Sequence, residues 1–360
     1  MIPEDNRFES HPADVLPHDT GLPEGWAVET PDGTHPPTVA RLAELLRAHE
    51  HAGRGWAGSG EDEVLVETLG LAMRENVVVV DPAGVIRAWG SVHDRAEGRM
   101  LLVHVVDRDL DDELADRCSD LLFAWAGVQA QSVGAARGLG VQQVDTGAFA
   151  GDVRQQRWLA GAGFERVRTW WQMSRPVEPQ ESGLVPDPAR WERNGVVFRL
   201  VERGDDGRPS EADLRAVHDV LEGAFTDHFN SAEETFDEFI HRLREDPGHR
   251  WDHWWVAEIV DGPEVEAAGA LVGTVSESDA GPDGSYVFYL GVLASARGRG
   301  VATGLLRTII ADAASRGRDR VGLEVDADSP TGADGLYTSM GWVTKYVTES
   351  WHKDVTVSRD

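Results

Sequence analysis

The stretch VLASARGRGVATGLLRTI, Val292 to Ile309, sets Arg297 and Arg299 among glycines and small residues, directly ahead of a helix-periodic run. Backbone without bulky side chains can approach an anion closely, and the first turn of a helix has unpaired N–H groups and favours negative charge. Arg297, Gly298, Arg299 and Gly300, leading into Val301 and Ala302, therefore read as a phosphate or pyrophosphate cradle. A second chemistry sits in RVGLEVDAD. There Val321, Leu323 and Val325 alternate with Gly322, Glu324 and Asp326, so Glu324 lies on the face away from the apolar residues. Its carboxylate reads either as a proton acceptor or as the partner of an arginine, and the sequence favours neither. Asp227 and His228 in AFTDHFN stand between two expected helices. His228 reads first as a solvated loop residue, with a base or, together with Asp227, a substrate ligand as the other readings.

The elements that must position these groups follow from periodicity. VVFRLVERG reads as a strand, and SEADLRAVHDVLEGAF as an amphipathic helix with Ser210 as its N-cap. AEETFDEFIHRLRED reads as a second helix, and HWWVAEIVD, AAGALVGTVSE and SYVFYLGVL as three strands parted by turn residues. The cradle comes next, then a helix over Val301 to Arg316, the Glu324 strand, a short helix in TGADGLYTSMGW, and a final strand pair. This order, β-α-α-β-β-β-α-β-α-β, predicts an α/β class with a mixed sheet flanked by helices.

A length of 360 residues allows two globular domains, and SRPVEPQESGLVPDPARWERNG is rich in proline and charge without apolar periodicity. The expected division is a first domain over 37–176, a linker over 177–194 and a second domain over 195–360. Residues up to about 40 look irregular. The charge is acidic, with 63 Asp and Glu against 34 Lys and Arg and a formal net charge of -29. Such a field repels nucleic acid, so none is expected as a partner, and an anionic ligand needs a local concentration of cations and backbone donors. No apolar run is long enough to predict a membrane span, and MIPEDNRFESHPADVLP lacks a secretory-signal pattern, so a cytoplasmic location is expected. Cys118 is the lone cysteine, which excludes an internal disulfide and a cysteine-based zinc site. It reads as a small core residue, as Trp254, Trp255, Trp342 and Trp351 read as core and sheet-face residues; no metal site is expected.

The residues GVLASARGRGVATGLL fit the signature Arg/Gln-x-x-Gly-x-Gly/Ala, with Arg297, Gly300 and Ala302 in the defining places. With LEVDADSPTGADGLYTSMGW downstream, the second half resembles the GNAT superfamily of acyl-CoA-dependent N-acetyltransferases. The match is best to its tandem-domain members, of which mycothiol synthase is one example. The resemblance implies that backbone at Leu290, Gly291 and Val292 lines the pantetheine arm of acetyl-CoA and that 297–302 cradle its pyrophosphate. It further implies that Ser329, Thr331 and Ala333 contribute to the same site, Ser329 replacing the Asn often found there. Tyr337 would protonate the departing thiolate. No covalent intermediate is required, because an amine attacks the thioester directly.

The first half repeats the plan with the chemistry removed. RMLLVHVVD is the strand that precedes the cradle in the second half, but DRDLDDEL follows it, where clustered acids repel a pyrophosphate. Laying Gly163 on Gly341 puts Leu159 in the place of Tyr337. Two tandem GNAT-like domains are therefore expected, the N-terminal one degenerate and without an acyl-CoA site. The expected activity is transfer of an acetyl or other short acyl group to a primary amine on a small molecule, by a monomer or homodimer. The alternatives are a non-catalytic acyl-CoA sensor or scaffold, mycothiol synthase itself, and, disfavoured by the charge, a peptidyltransferase using aminoacyl-tRNA.

Overall fold

The computed structural model of the chain describes residues 20–69, 74–95, 98–183, 195–225, 235–244, 246–261, 263–278, 281–328 and 332–358. These form two compact units, Met1–Thr169 with Val347–Asp360, and Trp170–Tyr346.

In the first unit the strands are β1 (Ala27–Glu29), β2 (Arg74–Val80), β3 (Ile86–Arg95), β4 (Arg99–Val106) and β5 (Val141–Phe149). They lie in that order, and the end of the long last strand, β12 (Val343–Thr356), pairs antiparallel with β5. Only β4 and β5 are parallel, as a strand–helix–strand connection allows. Helices α1 (Pro36–Arg54), α2 (Glu61–Leu69), α3 (Asp112–Ala136) and α4 (Val153–Gly161) pack on this sheet. One core forms around Trp125, Leu122 and Met100, and another around Trp89, Leu42 and Val64. Helix α1 and strand β1 occupy residues expected to be irregular or left unread. Pro36 and Pro37 sit in the first turn of α1, where a missing N–H costs nothing.

In the second unit the order is β6 (Glu165–Pro176, of which Trp170 onward belongs here), β11 (Arg320–Asp326), β10 (Gly284–Val292), β9 (Glu264–Ser276), β8 (His249–Asp261) and β7 (Val196–Leu200). Again one pair is parallel, β10 with β11. Helix α7 (Val301–Ser315) buries Leu305, Ile309 and Ile310 against one face together with Leu323 and Val321. Each such side chain contributes about 1.5–3 kcal/mol of burial. Helices α5 (Glu211–Phe225) and α6 (Phe236–Arg244) cover the other face through Val217, Leu221, Phe239 and Trp254. Helix α8 (Ala333–Ser339) packs on the α7 side through Leu336 and Tyr337.

The two contiguous halves expected from sequence and the compact units divide the chain differently. The chain enters the second unit within β6 and leaves it within β12, so each half supplies a strand to the other's sheet. Alternation shows that a segment is a strand; it does not show which sheet the strand joins. The expected final strand pair is one strand of 14 residues. VTKYVTESWHKDVT contains no Gly, Pro or Asn that would turn it back. The expected linker is ordered in its first part: Val177 is buried in the α7-side core, and a 3-10 turn spans Pro179–Gly183.

Candidate acyl-CoA and acceptor site

Strand β10 pairs with β11 only through Ser285–Val287, opposite Val321–Leu323. The register of β10 on β9 then shifts between Val287 and Tyr289, which makes Phe288 a bulge. Beyond it, Leu290, Gly291 and Val292 keep their bonds to β9 and have no ladder with β11. A parallel pair that separates in this way leaves backbone N–H and C=O groups facing a gap, and buried groups of that kind need partners. Leu290 and Val292 join the core beside α7, while a methyl at Gly291 would lie 2.9 Å from Leu221 of α5. Helix α5 thus closes one side of the strand where it diverges.

The loop after β10 holds a short turn, Ala294–Ala296, and then two left-handed glycines, Gly298 and Gly300, both with φ of 79°. That backbone region strongly favours glycine. Gly300 is the N-cap of α7, no side chain caps the helix, and its first turn carries no acid. The Gly304 N–H closes the first helical bond to the Gly300 carbonyl at 2.9 Å. The amides of Val301, Ala302 and Thr303 precede that bond and have no intrahelical acceptor. Arg297 and Arg299 are exposed, and neither makes an ion pair among the described residues. The helix end is held tightly to the sheet: a methyl at Gly304 would lie 2.0 Å from the Phe198 ring, and one at Gly269 would lie 2.5 Å from Val301. The result is a fixed, uncapped helix terminus with two free cations, able to take an anionic oxygen cluster.

Tyr337 lies two residues before the end of α8. The helix stops at Gly341, φ 97°, with Trp342 N–H donating to the Tyr337 carbonyl at 3.1 Å and Gly341 N–H to Thr338 at 3.1 Å. This is a Schellman turn. Arg175 of β6 pins it, donating to the Met340 carbonyl at 2.7 Å and ion-pairing with Glu181. The Tyr337 ring is half-buried and meets Trp342 edge-on at 6.1 Å. Burial pushes its hydroxyl up to about 12, so it carries its proton throughout the neutral range.

Glu324 stands on the opposite face, as its alternation requires, and is exposed. It makes no ion pair among the described residues. Its one bond is with the Gln172 amide of the neighbouring strand β6, so the arginine pairing left open by the sequence is not what the structure shows. Surrounding protein raises its proton affinity above the ordinary carboxylate range, Gln172 opposes that shift, and Asp326 adds to it. Because water reaches the side chain, this is crowding of a wetted carboxyl and not enclosure.

The arrangement brings together Leu290, Val292, Val301, Ala333 and Tyr337 on the α7 side. It places Glu324 across the sheet from them. Ser329, Thr331, Asp227 and His228 lie outside the described residues. Sequence reading missed Gln172, a neutral residue in a strand assigned to the other half, and Tyr286, which it took only as part of an apolar strand. Cys118 is fully buried, and burial pushes its thiol up to about 12, which leaves it inert. Among the described residues there is no group of three His, Cys, Asp or Glu side chains arranged for a metal, and no helix is long and apolar enough to cross a membrane.

Residues 214–342 match the acetyltransferase (GNAT) family. Mycothiol acetyltransferase of Thermobispora bispora is 31% identical over 210 residues, 56% of this chain and 61% of the relative. Among solved structures, a GCN5-related N-acetyltransferase from Sphaerobacter thermophilus superposes with a TM-score of 0.71 at 23% identity, covering 94% of this chain and 98% of that one. A tandem GNAT protein from the clavulanic acid biosynthesis pathway gives 0.65 at 13%, covering 93% and 100%. These two likenesses are of fold. Together with the family match over the second half, they show a fold in which two units are arranged as in tandem GNAT proteins. Residues 214–342 thus form a GNAT-family domain, in a chain whose overall fold resembles tandem GNAT proteins and which spans less than two thirds of the mycothiol acetyltransferase relative.

Proposed function

We propose that the second unit binds acetyl-CoA, or a related short acyl-CoA, and transfers the acyl group to a primary amine on a small molecule. The observation that carries this reading is the separation of β10 from β11 beside the uncapped N-terminus of α7. The gap offers backbone at Leu290–Val292 to an amide-containing arm. Arg297, Arg299 and the amides of Gly298 to Ala302 take the pyrophosphate at its end. An acyl-CoA supplies the activated thioester. Glu324 accepts a proton from the acceptor ammonium, directly or through water; the free amine adds to the thioester carbonyl and its nitrogen gives up a second proton to solvent; the C–S bond then breaks as Tyr337 gives a proton to the departing sulfur. Base and acid sit on opposite faces of the sheet, and in this reading the thioester carbonyl lies in the gap between them. The family match and the name of the Thermobispora bispora relative support acetyl transfer. The same name favours a second, narrower reading, in which this chain too is a mycothiol acetyltransferase.

The first unit we read as lacking an acyl-CoA site. The corresponding helix, α3, is capped by Asp111 and carries Asp112 and Glu113 in its first turn. The experiment is to incubate the whole chain with acetyl-CoA and a panel of primary amines, including the acceptor of mycothiol acetyltransferase, and follow release of free thiol. Turnover with an amine, lowered in Tyr337→Phe, is expected. Tight acetyl-CoA binding with no turnover on any amine would replace the reading with a non-catalytic sensor or scaffold.

A further inference from the structure

Three side chains from three adjacent strands form a line across the face that carries Glu324. Tyr286 of β10 stands beside Gly322 of β11, and Glu324, two residues along β11, stands beside Gln172 of β6. The Tyr286 ring crosses over Gly322: a methyl there would lie 2.9 Å from the ring. This lets the Tyr286 hydroxyl reach the strand beyond β11 and donate to Gln172 Oε1 at 3.4 Å. The other end of the amide, Nε2, donates to Glu324 Oε2. Gln172 is buried and Glu324 is exposed.

A glutamine amide has one accepting and one donating end, and an ionised carboxylate only accepts. Glu324 therefore selects the orientation with Nε2 toward it, and the hydroxyl of Tyr286 holds that orientation from behind. We infer that Gln172, locked by Tyr286, is a positioning residue that ties down one oxygen of Glu324 and leaves the other free for the acceptor's proton. This rests on the reading of Glu324 as the base. A carboxamide suits the task better than a guanidinium would, because it orients the carboxylate without adding a positive charge that would suppress its basicity. Among the charged groups described on this face, Asp326 acts on Glu324 and raises its proton affinity. Tyr286 is itself held protonated by burial, by Glu324 and, less strongly, by Tyr346 and Asp246, so it stays a donor.

The test uses the full chain and two readouts. One is the pH titration of the Glu324 side-chain carboxyl by 13C NMR, its signal identified by its loss in Glu324→Gln. The other is the pH profile of kcat/KM for acetyl transfer. In Gln172→Met, nearly the same shape without the donor, the carboxyl should titrate at higher pH and the acidic limb of the profile should move with it. At a fixed pH on the acidic limb this should cost about tenfold in kcat/KM. Tyr286→Phe should shift both the same way by less, and it tests the lock separately should Gln172→Met fail to fold. A carboxyl titration and acidic limb unchanged in folded Gln172→Met would overturn the inference while leaving Glu324 as base. An acidic limb that persists in Glu324→Gln would instead overturn the base assignment, whatever Gln172 does to the carboxyl titration.

Discussion

Helices α3 and α7 each follow a strand that begins as part of a parallel pair, β4 beside β5 and β10 beside β11, and each begins where that pairing has ended. Their N-termini differ in what satisfies them. At α3 the Asp111 side chain accepts the Leu114 N–H at 2.9 Å, and Asp107 accepts the Asp109 N–H at 3.0 Å while ion-pairing with Arg41 and Arg87. Arg108 from the same loop ion-pairs with Asp152, the N-cap of α4, and donates to Nδ1 of His49 at 3.0 Å. Burial and that arginine push His49 down to about 4, so it accepts as a neutral ring. The loops after β4 and β5 are thus tied to each other by protein groups. At α7 the corresponding donors and cations have no protein partner among the described residues. The helices after β5 and β11 repeat the contrast. Both end in a Schellman turn, at Gly163 and Gly341, and at the same position of each turn stand Leu159, fully buried, and Tyr337, half-buried with a hydroxyl. One scaffold is finished as core, and in the other the equivalent groups are left without protein partners among the described residues.

The comparison is broken most directly by making α7 resemble α3. Ala302→Glu, a carboxylate in the first turn, should weaken acetyl-CoA binding by more than about a hundredfold while leaving the melting temperature unchanged or raised, since an acid there favours the helix. Calorimetry with thermal melting checks both halves of that statement. Next in size, Tyr337→Phe should lower kcat about a hundredfold with acetyl-CoA affinity nearly unchanged, because it removes an acid needed only at the transition state. Binding and turnover measured on one preparation separate the two effects.

Smaller changes sharpen the contrast. Arg297→Ala with Arg299→Ala should weaken acetyl-CoA binding by about ten- to a hundredfold, the scale of two charge-assisted contacts at an exposed site, and more so at low salt. A salt series of calorimetric titrations reads this. Asp111→Ala should cost about 1 kcal/mol of stability, as the loss of an N-cap does, and should create no second donor site, since the Arg108–Asp152 pair and Leu159 remain. Denaturant unfolding measures the first effect and acetyl-CoA titration the second.

What was legible in the sequence was local. The glycine loop before α7 was legible because left-handed backbone there favours glycine at 298 and 300, and the strand around Glu324 because alternation fixes its face. The Gly163–Gly341 correspondence was legible because both residues end helices with φ near 90°. What escaped was non-local. No periodicity says that β6 pairs with β11, so Gln172 could not be set beside Glu324, and no pattern shows that Tyr286 crosses a glycine to reach it. The segment expected to be a final strand pair is the single long β12, and only its pairing with β5 shows where its second part belongs.

The most direct measurement is calorimetric titration of acetyl-CoA into the whole chain and into the Arg297→Ala, Arg299→Ala variant. One site per chain, weakened or lost in the variant, is the predicted result. Two sites, or one site that the variant leaves untouched, would contradict the assignment of donor binding to the N-terminus of α7.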